Sequence, residues 1–412
     1  MKKKQSPALT VVGCLVCMLC VGVIYCWSAL RQDTISFFEW EPSAVTLVAS
    51  FMLFAFCVGN FAGGALNDRI GPKKVSILGV ILFCAGMFFA SLVPKGSGIW
   101  LFYLFFSIIG GIGVGVTYGA ILACIQKWFP HRRGFATGIA TAAFGFGTVA
   151  FSLVIGAMLK GGMVVPNVLR ILSPILLVVG LVSCLVITEP DAEYIAALPK
   201  PAPKKNAITA ARDMKFGEAI KTVPFWCLLL NIFFYNATWN MLNPIIRDLG
   251  IQQRGLTAEM ATVCLSLTGV FNAAGRFSMS ALSDKLGRVN TVIMLCVVTI
   301  VCAVLLTFVG GPAYFAVVLV TAFAFGGPSA VNPATSTDIF GAKYSGTNYG
   351  VIMLSLGFSS IIFNSIANAL NKSTGGYTAT FIMGAITALI TIGLMLVVGH
   401  YVKKNKKENS KS

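Results

Sequence analysis

The sequence predicts an all-α membrane protein whose twelve transmembrane helices form two pseudo-symmetric six-helix bundles. Three observations lead to this fold. Of the 412 residues, 57% are hydrophobic and only 11% are charged, whereas about 25% of the residues of a soluble domain are charged. The apolar residues fall into twelve runs, each long enough for a helix that crosses a bilayer. Two sequence patterns then recur between the first six runs and the last six.

The twelve runs form two sets that are separated by a polar stretch. The first set lies at residues 8–30, 44–66, 75–93, 99–124, 134–158 and 168–188. The second set lies at residues 224–247, 258–282, 289–309, 312–335, 346–370 and 377–401. The polar stretch contains the segment PKPAPKK, which is typical of an interdomain linker. The predicted domains are an N-terminal bundle at 1–190, a cytoplasmic linker at 191–222, a C-terminal bundle at 223–402 and a basic cytoplasmic tail at 403–412.

The distribution of basic residues predicts the orientation in the membrane. An even number of spans puts both termini on one side, and 23 of the 31 Lys and Arg residues lie on that side. Seven lie on the opposite side, and Arg276 lies inside a run. Because basic loops stay in the cytoplasm, we expect cytoplasmic termini and a multi-pass protein of the plasma or inner membrane. The net charge of +17 therefore indicates topology, and we expect no nucleic-acid partner.

An internal repeat supports the two-bundle architecture. The segment ALNDRIG at residues 65–71 recurs as ALSDKLG at residues 281–287, each time between the second and third runs of its half. A second match, at an offset of 212, lies in the fifth runs and relates Gly134, Gly138 and Gly145 to Gly346, Gly350 and Gly357. Two homologous six-helix bundles related by an axis along the membrane normal resemble the architecture of the major facilitator superfamily.

Charged residues follow the second helix of each half. Asp68 and Arg69 in the first half, and Asp284, Lys285 and Arg288 in the second, resemble the signature of that superfamily. We expect these residues to form a cytoplasmic latch that breaks and re-forms as the two bundles rock. The alternative is that the charges only set the orientation, for which the acidic residues would be unnecessary.

Four further segments point to a narrower group: residues 22–28 (GVIYCWS), 127–134 (KWFPHRRG), 272–284 (NAAGRFSMSALSD) and 348–352 (NYGVI). These segments resemble the oxalate:formate antiporter family and its pyruvate- and formate-transporting relatives.

Arg276 is the candidate substrate-binding residue. A guanidinium inside a span costs at least about 2.5–3.5 kcal/mol, so it needs water, a partner or a ligand. None of the 14 acidic residues lies in the middle of a run. A carboxylate substrate would provide the missing charge through two parallel hydrogen bonds. The resemblance implies the same role, because an arginine in this motif binds substrate in the antiporter family. The alternative is that Arg276 extends to the lipid headgroups.

The other candidate substrate contacts are polar or aromatic residues inside predicted helices. The resemblance implies aromatic contacts at Tyr25 and Tyr118. Asn272 precedes Arg276 by one helical turn and therefore faces the same way. Further candidates are Tyr235, Trp239, Phe144 and Asn332. For each of these residues, helix packing or hydrogen bonding between helices is an equal alternative.

Two departures from the resembled families narrow the predicted function. Oxalate-carrying members have a lysine in the eleventh helix, whereas residues 346–370 contain no Lys or Arg. Proton-coupled monocarboxylate symporters have an acid one turn before the arginine, where this chain has Asn272. The sequence therefore predicts a monomeric transporter of small monocarboxylates that works by anion exchange. We expect it not to be an enzyme and to bind no metal or cofactor. Its partners would be the lipid bilayer, a small carboxylate and a counter-substrate. The alternatives are a proton-coupled carboxylate symporter or a multidrug efflux transporter of the same fold.

Overall fold

The computed structural model describes residues 7–198, 213–374 and 376–409, and all regular secondary structure within them is helical. The helices of the first half are α1 (Pro7–Val21), α2 (Trp27–Phe38), α3 (Pro42–Ile70), α4 (Pro72–Ala90), α5 (Trp100–Trp128), α6 (Arg133–Lys160) and α7 (Val165–Leu185). Those of the second half are α8 (Val223–Leu242), α9 (Ile246–Gln253), α10 (Ala258–Leu286), α11 (Arg288–Phe308), α12 (Gly311–Phe340), α13 (Ser345–Thr374) and α14 (Thr378–Asn409). Two short helices, Ala192–Ala197 and Phe216–Ala219, lie in the predicted linker, of which residues 199–212 are outside the described residues.

The predicted all-α membrane fold is confirmed. In the described part of the chain, nine helices are long and apolar enough to cross a membrane, namely α3 to α7 and α11 to α14. The other three predicted spans are more polar or interrupted. The first is divided into α1 and α2 by the 3-10 turn Gly22–Cys26, and the seventh into α8 and α9 by the 3-10 turn Asn243–Ile245. The eighth is α10, which contains Arg276.

Several helices continue beyond the apolar runs that predicted them. Helix α10 ends at Leu286 and α12 at Phe340, whereas the apolar runs end near residues 282 and 335. The difference arises because a helix continues through polar residues at its end, where hydropathy no longer marks it.

The repeated motif has the same backbone geometry in both halves. Gly71 ends α3 with φ 81° and ψ 162°, and Gly287 ends α10 with φ 90° and ψ 146°. Only glycine adopts this conformation without strain, so each copy of the motif ends in the residue that allows an abrupt reversal into the next helix. The predicted repeat is thus a structural repeat at this junction.

The described residues group into two compact units. The first is formed within Met1–His131, Ala143–Ala202 and Ser345–Gly357. The second is formed within Arg132–Ala142, Pro203–Tyr344 and Phe358–Ser412. Each unit therefore includes the start of one long helix from the other half of the sequence, α13 in the first unit and α6 in the second. The predicted domain boundaries at residues 190 and 223 stay a prediction.

Candidate functional site

Arg276 lies well inside α10 in the second unit. Ten residues separate it from the end of the helix at Leu286, which corresponds to about 15 Å of helix. Its residue is 9% exposed, and its Nε donates a hydrogen bond to Oδ1 of Asn272 at 2.7 Å. Within the described residues Arg276 forms no ion pair. Because its side-chain hydrogen bond is made by Nε, the two terminal nitrogens of the guanidinium can donate to a ligand.

Asn272 orients the guanidinium. Its Oδ1 accepts the hydrogen bond from Arg276, and its Nδ2 donates to the carbonyl oxygen of Ala322 at 3.4 Å. The spacing of four residues predicted that Asn272 and Arg276 share a face, and the structure brings them into contact. Because both polar atoms of Asn272 have protein partners, its effect on a substrate would be exerted through Arg276. Direct contact of Asn272 with a substrate stays a prediction.

Small residues bring α10 and α12 together beside Arg276. A Cβ atom on Gly326 would meet the carbonyl oxygen of Asn272, and one on Gly275 would meet the backbone of Phe323. No side chain other than hydrogen fits at either position without a shift of the helices. The backbone of α12 therefore lies directly against the turn of α10 that carries Asn272 and Arg276.

An aromatic stack lies in the same unit. The ring of Phe325 stacks with those of Tyr235 and Trp239, with centroid distances of 5.8 and 5.1 Å and interplanar angles of 7° and 15°. The stack borders a small cavity that is also lined by three threonines, Thr238, Thr299 and Thr321. The structure thus groups two of the predicted residues, Tyr235 and Trp239, with a phenylalanine that sequence reasoning missed.

Asn332 lies in a buried stretch of α12 between Pro328 and Pro333. Its Oδ1 has no hydrogen-bond partner among the described residues. A buried amide oxygen without a partner is costly, so Asn332 is a place where water or a ligand would be favoured. Its role in substrate binding stays a prediction.

The first unit contains a second aromatic group. The rings of Phe56, Tyr118 and Phe144 pack with centroid distances of 5.2 Å for Phe56 to Tyr118 and 5.1 Å for Tyr118 to Phe144. Tyr118 and Phe144 are only 2% and 1% exposed. Sequence reasoning missed Phe56, because a phenylalanine in an apolar helix gives no signal of its own.

Tyr25 lies in the 3-10 turn Gly22–Cys26, and its side chain is outside the described residues. A Cβ atom on Gly22 would meet the carbonyl oxygen of Phe144. The hydroxyl of Thr148 also donates to the carbonyl oxygen of Gly22 at 3.1 Å. The turn that carries Tyr25 is therefore fixed on α6 next to Phe144.

Asp284 binds the N-terminal end of α6, within the second unit. Its carboxylate accepts hydrogen bonds from the backbone N–H groups of Gly134 at 3.1 Å and Phe135 at 2.9 Å. It also pairs with Arg288 at 2.8 Å. A carboxylate at a helix N-terminus satisfies free N–H groups and interacts favourably with the helix dipole. A Cβ atom on Gly134 would meet the backbone of α10, so only glycine allows this approach.

Two residues that sequence reasoning missed extend this cluster. Asp338 of α12 accepts from Nε of Arg288 at 2.9 Å and from Nη1 of Arg133 at 2.9 Å. Arg288 thus lies between two acids and is 7% exposed. Lys285 is exposed, so its predicted part in the latch stays a prediction.

Asp68 makes the equivalent contact in the first unit. Its Oδ2 accepts from the backbone N–H of Thr347 at 3.0 Å and from the Thr347 hydroxyl at 2.8 Å, at the start of α13. Gly64 and Gly346 allow the two helices to meet, because a Cβ atom on either would meet the backbone of the other. Arg69 is exposed, and its predicted part in the latch also stays a prediction. The two acids of the repeated motif therefore bind the starts of the two helices that share the glycine repeat.

Comparison with known proteins places the chain in a family. Residues 11–364 match the sequence profile of the Major Facilitator Superfamily. The chain belongs to this superfamily. As a Major Facilitator Superfamily protein it is a multi-pass membrane transporter and not an enzyme.

Individual superfamily members resemble the chain over almost its whole length. The oxalate:formate antiporter of Oxalobacter formigenes is 28% identical over 401 residues, which cover 95% of this chain and 92% of that protein. The apicoplast pyruvate carrier 1 of Toxoplasma gondii is 23% identical over 498 residues, covering 95% and 89%. The crystal structure of the fucose:proton symporter FucP of E. coli superimposes with a TM-score of 0.72 at 14% identity, covering 95% of this chain and 99% of that one. This last similarity concerns the fold alone.

Proposed function

We propose that this transporter carries small monocarboxylates of the formate, pyruvate and lactate class by alternating access, in exchange for another anion. The observation that carries the proposal is the buried guanidinium of Arg276, which has an amide neighbour and no acidic partner among the described residues. The similarity to an oxalate:formate antiporter and a pyruvate carrier supports the same class of substrate.

The orientation of Arg276 suits a carboxylate. Because Nε is held by Asn272, Nη1 and Nη2 form the free end of the guanidinium. Two parallel N–H donors match the two oxygens of a carboxylate, and such charge-assisted pairs are stronger than neutral hydrogen bonds. The bound anion would also remove the cost of a buried positive charge, at least about 2.5–3.5 kcal/mol.

The charge balance favours a monocarboxylate over a dianion. Helix α13 has no Lys or Arg before Lys372, which is exposed near the end of the helix. Arg133 and Arg288 are occupied by Asp338 and Asp284. Within the described spans, Arg276 is therefore the buried cation that we expect to compensate one negative charge. A second carboxylate would be buried without a partner.

The lack of an acid beside Arg276 in the described spans favours anion exchange over proton-coupled transport. Asp284 and Asp338 lie near the ends of their helices and are bound to arginines, and Arg276 has an amide where a proton carrier would be an acid. Asp68 likewise lies in the last turn of its helix, where Thr347 binds it, so the described spans place no acid beside Arg276. The empty carrier must then enclose an uncompensated Arg276, whereas the loaded carrier is neutral. We therefore expect exchange to be faster than net transport.

The contacts of Asp68 and Asp284 suggest where the conformational change acts. We propose that the N-terminal ends of α13 and α6 separate from these carboxylates and rebind to them during each transport cycle. These contacts would lie at the cytoplasmic side of the cell membrane, where we also place both chain termini. At α6 the separation also breaks the ion pair of Arg133 with Asp338 and the hydrogen bond from the Ser280 hydroxyl to the Gly134 carbonyl oxygen. Substrate binding must therefore favour the separated state by more than these contacts contribute.

Exchange in proteoliposomes tests the proposal. Vesicles are loaded with radiolabelled formate or pyruvate, and efflux is measured with and without the same unlabelled anion outside. We expect external monocarboxylate to accelerate efflux several-fold and oxalate to compete poorly. Equal efflux rates would contradict exchange, accumulation driven by a pH gradient would indicate proton symport, and transport of lipophilic cations alone would indicate efflux of drugs.

A further inference from the structure

A proline interrupts the hydrogen bonding of α12 near Arg276. Pro328 lies inside this helix and has no N–H, so the carbonyl oxygen of Ala324, four residues earlier, loses its helical hydrogen bond. Such an oxygen in a buried helix costs free energy unless another donor reaches it.

Tyr235 of α8 supplies that donor. Its hydroxyl donates to the carbonyl oxygen of Ala324 at 2.9 Å and shares its single proton with the carbonyl oxygen of Phe325. The side chain of Ser329 donates to the Phe325 carbonyl oxygen at 3.1 Å. Tyr235 is 3% exposed, so water does not compete freely for these carbonyl groups. The phenol thus occupies the gap in the hydrogen-bond ladder that Pro328 creates.

The segment that Tyr235 holds is the one that faces the arginine. Phe323 and Gly326 pack their backbone on α10 at Gly275 and Asn272. Phe325 lies between them in the sequence and stacks with Tyr235 and Trp239. A change in the hydrogen bond at Ala324 would therefore move both the backbone beside Arg276 and the ring of Phe325.

We propose that Tyr235 is a positioning residue: its hydroxyl replaces the hydrogen bond that Pro328 removes from α12. It thereby fixes the α12 backbone next to Arg276 and the ring of Phe325. The inference rests on the proposed function for its effect on transport. It assigns the hydroxyl of Tyr235 to the helix and not to the substrate. Loss of the hydroxyl shifts the α12 segment and weakens substrate binding without a loss of the fold.

A double-mutant cycle tests the assignment. Pro328→Ala restores an N–H that can donate to the Ala324 carbonyl oxygen, so the hydroxyl of Tyr235 should then be dispensable. KM and maximal rate for formate exchange are measured for the wild type, Tyr235→Phe, Pro328→Ala and the double variant. We expect Tyr235→Phe to raise KM about tenfold in the wild-type background, which corresponds to about 1.4 kcal/mol, and less than about twofold in the Pro328→Ala background.

Tyr314→Phe is the matched control. Tyr314 is also fully buried, and its hydroxyl donates to the carbonyl oxygen of Ile246 at 3.0 Å. This control loses a buried tyrosine hydroxyl elsewhere in the same unit, so we expect KM to stay within about twofold of the wild type.

The outcomes separate the possible roles. An equal rise of KM in the wild-type and Pro328→Ala backgrounds would overturn the inference and favour direct contact of the hydroxyl with substrate. An unchanged KM in Tyr235→Phe, or the same rise in Tyr314→Phe, would also overturn it. Melting temperatures of the four cycle proteins without substrate give a second measurement: Tyr235→Phe should lower the melting temperature only when Pro328 is present. If the wild type exchanges no carboxylate, the proposed function fails, and the thermal cycle still decides whether Tyr235 compensates Pro328.

Discussion

Asp284 binds the start of α6, and these contacts can be weakened by replacing it with asparagine, whose side chain has nearly the same shape. In Asp284→Asn, the side chain loses its charge but keeps its size. The carboxylate now accepts from two backbone N–H groups, those of Gly134 and Phe135, and pairs with Arg288. The asparagine retains one oxygen, while its NH₂ group faces a donor. Oδ1 accepts from Gly134 and Arg288 and Oδ2 from Phe135, so with the amide oxygen at the Oδ1 position the N–H of Phe135 loses its acceptor. Arg288 keeps that hydrogen bond but loses one of its two negative partners.

The expected size of the effect follows from these contacts. Removing one partner of a buried ion pair costs about 3–5 kcal/mol when the other charge is left alone. Arg288 keeps Asp338 at 2.9 Å, so the upper end of that range does not apply. An unsatisfied buried donor adds about 1–3 kcal/mol. We expect a net destabilisation of about 2–3 kcal/mol, confined to the contact between α6 and α10.

Thermal unfolding in detergent measures this effect. Asp284→Asn should lower the melting temperature by at least about 3 °C. The matched control is Glu259→Gln, which neutralises an exposed carboxylate in the first turn of the same helix, and we expect a change of less than about 0.5 kcal/mol there. Equal shifts in the two variants would show that Asp284 contributes only as a surface charge, and the reasoning about α6 would be wrong.

Three further predictions concern separate contacts. Asn272→Ala removes the acceptor for Nε of Arg276, so KM for formate exchange should rise about fivefold to tenfold while the melting temperature changes little; an unchanged KM would mean that the amide does not orient the guanidinium. Asn272→Asp places an acid beside Arg276, which should weaken carboxylate binding at neutral pH and restore it as the pH falls and the new carboxyl group is protonated; a KM independent of pH would contradict this. Gly346→Val should abolish a monodisperse peak in size-exclusion chromatography, because even a Cβ atom at this position would meet the backbone of Gly64. The control Gly156→Val should behave as the wild type, because no atom lies within 4 Å of the Cβ position of Gly156.

The sequence was sufficient to predict features that depend on local periodicity or on internal repetition. Twelve apolar runs and a repeated motif predict the helical membrane fold, because bilayer thickness requires spans of this length. The contact of Asn272 with Arg276 follows from their spacing of four residues on one helix. The glycine repeat predicts positions equivalent in the two halves, and the structure shows Gly134 and Gly346 in close contact with the backbone of another helix.

Contacts between distant segments could not be predicted in this way. Asp338 is 50 residues from Arg288 and 205 from Arg133, and no periodicity relates these positions. Phe56 and Phe325 join aromatic groups only because neighbouring helices bring tyrosines to them. The 3-10 turn in the seventh span contains a proline, whereas the turn at Gly22–Cys26 has none. The latter depends on the packing of Gly22 against α6, which a single sequence does not reveal.

The binding of a carboxylate by Arg276 is tested most directly by the melting temperature of the purified protein with and without formate or pyruvate. A ligand that binds the folded protein raises this temperature by an amount that grows with the logarithm of its concentration above Kd. We expect both anions to stabilise the wild type and the control Arg170→Gln, which replaces an exposed arginine in α7, and to leave Arg276→Gln unchanged. Equal stabilisation of Arg276→Gln and the wild type would show that the anion binds elsewhere, and would contradict the central claim.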